Sequence, residues 1–239
     1  MDKNDPFAAT IPAPTAARPL LGLTVLVVED SRFACEAMRL LCLRSGARIR
    51  RADSLKSARR HLRVYRPSVV IIDLGLPDGS GVDLIQELTA VETRVEVVLG
   101  TSGDLNSEEI ALSAGADGFL SKPITSLAAF QHAVLVNLPA ERQPAGVRQL
   151  SDEVICPDFM AFQDDMAHIA DVLEDPESEN ALDYVAQFIA GVARSAQDLG
   201  LEQAAEALAA ARAAGASAKA EADALFDLVQ NRLTQKMAI

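Results

Sequence analysis

The apolar run Ser68-Val69-Val70-Ile71-Ile72 stops at an aspartate, Asp73, and three other stretches of the chain repeat the design. Leu23-Thr24-Val25-Leu26-Val27-Val28 ends at the acid pair Glu29-Asp30, Val95-Glu96-Val97-Val98-Leu99 leads to Thr101, and Ala116-Asp117-Gly118-Phe119-Leu120 leads to Lys122-Pro123. Strands buried on both faces of a parallel sheet read as continuous apolar runs, and helical segments between them mark βαβ units. In an open α/β sheet the ligand crevice lies beyond the carboxyl ends of the strands, so residues far apart in sequence converge there. Three carboxylates gathered in one crevice repel one another unless a cation sits among them, and hard oxygen ligands suit Mg2+.

The four strand ends, taken in order, resemble those of a response-regulator receiver domain over residues 23 to about 139, roughly half the chain. The resemblance implies a flavodoxin-like, doubly wound five-stranded parallel sheet. It implies that Asp73 is the phospho-acceptor, that Glu29 and Asp30 bind Mg2+ with Asp73 and the backbone carbonyl of Gly75, and that Thr101 and Lys122 bind the phosphoryl oxygens. Phe119 falls at the family's aromatic switch position. Leu76-Pro77-Asp78-Gly79-Ser80-Gly81 is similar to the family's loop after the acceptor strand. A sensor histidine kinase or a histidine phosphotransfer protein would be the phosphoryl donor. Aspartate-nucleophile phosphohydrolases also use Asp, a hydroxyl, Lys and Mg2+. They carry a second Asp two residues after the nucleophile, where this chain has Gly75, and they place the nucleophile after the first strand.

Composition divides the chain. The net charge of -12 arises entirely from the second half: residues 1–150 hold 17 acidic and 17 basic residues, residues 151–239 hold 17 and 5. An acidic half is repelled by a polyphosphate backbone, so no nucleic-acid partner is expected, leaving a receiver with a DNA-binding output as an alternative. No stretch approaches a membrane span, and the three cysteines lack metal-ligand spacing, so a cytoplasmic protein without a membrane partner is expected. Residues 1–20, with four prolines, read as a flexible tail, 21–139 as the receiver, 140–150 as a linker, and 151–239 as an all-α four-helix domain.

In that second half, Phe159, Phe162, Met166, Ile169 and Leu173 recur at helical spacing, as do Leu182, Val185, Ile189, Val192, Ala196 and Leu199. Connections are expected at Asp175-Pro176, Gly200 and Gly215. Aligned on Ser195-Ala196 and Leu199-Gly200, the segment is faintly similar to histidine phosphotransfer domains, with Ala190, Ala193 and Arg194 where that family has His, Lys and Gly. The resemblance implies a scaffold without its phosphorylatable histidine. His168, flanked by Asp164, Asp165 and Asp171, reads as a surface histidine on an acidic helix. No separate enzymatic output is visible, and the helices are expected to signal by binding an unidentified downstream protein or by self-dimerisation.

Overall fold

The computed structural model describes residues 13–91, 94–104, 106–145, 151–174, 181–215 and 217–235. The first part of the expected tail, the end of the expected linker with Gly146, and the Asp175-Pro176 connection lie outside these residues. Five parallel strands form one sheet in the order β2-β1-β3-β6-β7: β1 (Thr24–Val28), β2 (Arg48–Ala52), β3 (Val69–Asp73), β6 (Val97–Ser102) and β7 (Gly118–Ser121). A two-residue antiparallel pair, β4 (Gly75–Leu76) with β5 (Gly79–Ser80), folds the loop after β3.

Side-chain alternation along the strands builds two cores. Val25, Val27, Val69, Ile71, Val97 and Leu99 face one side, against α1 (Arg32–Ser45) and α5 (Leu127–Leu135) through Met38, Leu41, Phe130 and Val134. Leu26, Val28, Val70, Ile72 and Val98 face the other, against α2 (Leu55–Val64), α3 (Gly81–Thr89) and α4 (Ser107–Ser113). Such two-faced burial is why these strands read as unbroken apolar runs. The edge strand β2 carries Arg48, Arg50 and Arg51, charges that blunt an open edge.

Serines start most of these helices: Ser31, Ser54, Ser80 and Ser126 each accept a backbone N–H of the first turn. α1 stops at Gly46, whose φ of 85° is a left-handed conformation that glycine adopts without strain. Gly81 opens α3 so close to the Asp73 carbonyl oxygen that a Cβ would overlap it.

The remaining helices are α6 (Phe159–Glu174), α7 (Leu182–Ala196), α8 (Leu199–Ala213) and α9 (Lys219–Thr234). α6 packs on α7 and α9, and α8 on α7 and α9, around Met166, Ile169, Val185, Ile189, Val192, Leu208, Leu225 and Val229. The expected connection at Gly200 is displaced. Gln197 turns the chain in a left-handed conformation, Asp198 caps α8, and Gly200 lies in that helix's first turn, leaving Leu199 exposed rather than in the apolar stripe. Asp198 accepts the Leu201 N–H and a two-point contact from Arg232 of α9, which explains why the helix begins there. Cys35 and Cys42 are buried free thiols and Cys156 an exposed one. Among the described residues no helix is long and apolar enough to cross a membrane.

Candidate functional site

The parallel register sets the site. Asp73, the last residue of β3, is directly opposite Thr101 in β6, and Glu29 and Asp30 follow β1 alongside. Carboxylate oxygens of Glu29, Asp30 and Asp73 lie within 4.8 Å of one another. Lys122, just beyond β7, donates from Nζ to Asp73 Oδ2 at 2.8 Å and pairs with Glu29 Oε2 at 2.7 Å. This ammonium is 9% exposed, Glu29 1% and Asp73 10% at the side chain, so the group is nearly dry.

The electrostatics follow from that burial. Desolvation drives the Glu29 carboxyl well above its usual range; Lys122 opposes the rise, and Asp73 and Asp30 reinforce it. Burial pushes Asp30 up to about 6 against the hydrogen bond from Tyr184, with Asp73 adding to the push. Burial works against the Lys122 ammonium, but Asp73 and Glu29 outweigh it and hold its pKa above the ordinary lysine value. One cation cannot neutralise three carboxylates, and Glu29 Oε2 makes no well-aligned hydrogen bond. A hard divalent ion with oxygen ligands fits this donor set.

The other expected residues sit nearby in differing roles. Thr101 is fully buried, and its hydroxyl donates to the Leu120 carbonyl at 2.7 Å rather than to Asp73. Phe119 is half-buried and packs over Gly100. Gly75 N–H approaches Asp73 Oδ1 at 3.3 Å, and Gly75 lines the cavity that holds Asp73. His168 is exposed and outside that cavity, near Tyr184 and edge-on to Phe188.

Sequence reading missed the groups that come from the four-helix part. Tyr184 Oη donates to Asp30 Oδ2 at 2.8 Å, and Arg194 Nη1 donates to the Gly103 carbonyl at 2.5 Å. Gln187, Ala190 and Gly191 line the Asp73 cavity. Asp165, read from sequence as part of an acidic surface, is instead 1% exposed and accepts from Ser31 Oγ, Arg32 N and Phe33 N at 2.7, 2.7 and 3.1 Å. It completes the N-terminus of α1 from another part of the chain. Its position between Phe162 and Met166 was the available signal, since an acid bordering an apolar stripe needs a partner.

Comparison with known proteins matches residues 25–134 to the response regulator receiver domain family. The KDP operon transcriptional regulatory protein KdpE of Escherichia coli (strain K12) is 34% identical over 99 residues, 41% of this chain and 44% of that protein. The transcriptional regulatory protein PhoP of the same strain is 29% identical over 148 residues, 56% of this chain and 66% of that one. Among solved structures, the response regulator receiver domain (CheY-like) from Methylobacillus flagellatus is 27% identical, with a TM-score of 0.44, covering 48% of this chain and 98% of that one. The chain thus spans less than half the length of the first of these relatives.

The names of these relatives correct one expectation. KdpE and PhoP are transcriptional regulatory proteins, which overturns the expectation of no nucleic-acid partner drawn from the acidic second half. Net charge averages over a whole region and governs non-specific attraction, whereas the process a receiver serves is decided by local contacts and partners. The strand-end geometry and the match over the same residues agree: residues 25–134 are a response regulator receiver domain.

Proposed function

We propose that Asp73 accepts a phosphoryl group from a phosphohistidine on a kinase or transfer protein, and that the four-helix part carries the signal onward by protein contact. The observation that carries this reading is the buried Asp73 carboxylate, paired with Lys122 and within 4.8 Å of two further acids. Asp73 oxygen attacks phosphorus in line, the phosphorus–nitrogen bond of the donor breaks, and the leaving imidazole takes up a proton. Lys122 neutralises charge on the transferred group, and Thr101 turns its hydroxyl from Leu120 toward the new oxygens, with Phe119 following. Glu29, Asp30 and Asp73 would hold Mg2+, which when bound offsets phosphoryl charge. Positioning and electrostatics supply most of the rate in such transfers. The chain has no enzymatic output beyond its own phosphorylation in this reading, and it works in the cytoplasm.

The test is to incubate the protein with Mg2+ and phosphoramidate and map the acid-labile adduct by mass spectrometry. Labelling is expected at Asp73 and lost in Asp73→Asn; undiminished labelling of that variant would overturn the assignment. A second reading rests on the relatives' names: the phosphorylation state feeds transcription. Salt-dependent retention of genomic DNA fragments by the phosphorylated chain would support direct contact.

A further inference from the structure

The cavity that holds Asp73 is roofed by this chain's own α7. Ala190 and Gly191 lie across it, and Gln187 and Arg194 border it. We propose that the α6–α7 face is a receiver-docking surface occupied here by the chain's own receiver, so that this face and a phosphodonor compete for the approach to Asp73. The proposal rests on the reading of Asp73 as acceptor.

Space is the first argument. The cavity is about 30 Å3, room for one or two waters or a single cation. An in-line attack needs the donor's phosphorus and its leaving group beyond the Asp73 oxygen, and a roofed cavity of this size holds neither. Glu29 and Asp30 also line a wide groove of about 1080 Å3 between α1 and α6, whereas Asp73 does not. A small cation therefore has a route to the acids while the roof is on, and a phosphodonor has none.

The contact is also built rather than incidental. Asp165 gives both carboxylate oxygens to Ser31 and the first turn of α1 while almost fully buried, an arrangement that costs more than it returns unless its partners are present. Phe33 of α1 belongs to the apolar cluster of the four helices, its ring edge-on to Phe162 at 5.8 Å. On the receiver side, the Gly103 carbonyl accepts from Arg194 Nη1 and Asp30 Oδ2 accepts from Tyr184 Oη. Polar and apolar groups of both sides thus find their partners in this pairing. A phosphoryl group on Asp73 adds bulk and negative charge where Ala190 and Gly191 lie, so installing it requires α7 to lift and keeps it lifted.

The test uses the full chain. Asp73 labelling by phosphoramidate with Mg2+ is timed in wild type, Asp165→Ala and Arg194→Glu, and backbone hydrogen exchange across α6 and α7 is followed in wild type with and without Mg2+ and beryllofluoride. Both variants are expected to label about tenfold faster, as a closed resting state lowers the competent fraction, and beryllofluoride is expected to speed exchange in α7. Arg194→Glu and the wild-type exchange decide the matter if Asp165→Ala fails to fold. Equal labelling rates in the folded proteins, with α7 exchange unchanged by beryllofluoride, would overturn the docking proposal and leave Asp73 as acceptor. No label at Asp73 in any of them would overturn that reading and the proposal together.

Discussion

Asp30 binds its proton more tightly in the folded chain than in the unfolded one, because its carboxyl is pushed up to about 6 from an ordinary 3.8. A raised acid costs stability when ionised, so metal-free protein gains stability as pH falls through 6, and the gain is complete once pH is below 3.8. Between about pH 7 and about pH 5.5 the expected gain is on the order of 1 kcal/mol. Glu29 titrates in the same sense, so Asp30→Asn flattens the rise without abolishing it and is itself more stable at neutral pH. Melts in a chelator across that range check this, and with Mg2+ the trend reverses because the ion needs the deprotonated acids. Lys122 is the counterpart: Lys122→Ala strands Asp73 and Glu29 without their ammonium and is expected to cost about 2–4 kcal/mol in denaturant unfolding at neutral pH, part of it recovered by Mg2+.

Among the elements, the junction of α7, α8 and α9 hangs on Asp198, which caps α8 and meets Arg232 at 2.5 and 3.0 Å. Asp198→Ala is expected to cost about 1–2 kcal/mol by thermal melting. The Arg232 hydrogen bonds hold the Asp198 carboxyl below its ordinary value of 3.8, so this contribution is present above that pH and lost as pH falls through the lower folded value. The strands were the most legible elements because Val69 to Ile72 and their counterparts have no polar face to confuse the pattern. The Gln197–Asp198 turn was not legible, since a non-glycine left-handed residue gives no compositional sign and Gly200 drew attention to the wrong place. Of the site, every strand-end group could be read, while Tyr184, Asp165 and Arg194 could not. Their roles depend on two surfaces meeting, which no periodicity within one helix encodes.

For the whole molecule, Phe33 and Asp165 make one cooperative body of parts that composition alone divides. Phe33 is 7% exposed and contributes to the cluster of the four helices, so the 239-residue chain is expected to unfold in a single transition. Phe33→Ala is expected to lose about 3 kcal/mol and to separate the melt into two steps, read by calorimetry; a single unshifted transition would contradict this. The distance along the chain between Ser31 and Asp165, 134 positions, also gives the molecule a history. Synthesis runs from the amino end, so the receiver leaves the ribosome before α6 exists. During that interval Asp165 is not there to accept from Ser31, Arg32 and Phe33, and α7 is not there to line the Asp73 cavity. On the docking proposed above, a nascent chain is expected to be receptive to a phosphodonor before the finished one has closed, and a stalled or truncated product ending ahead of Phe159 is expected to label at Asp73 as fast as the Arg194→Glu variant.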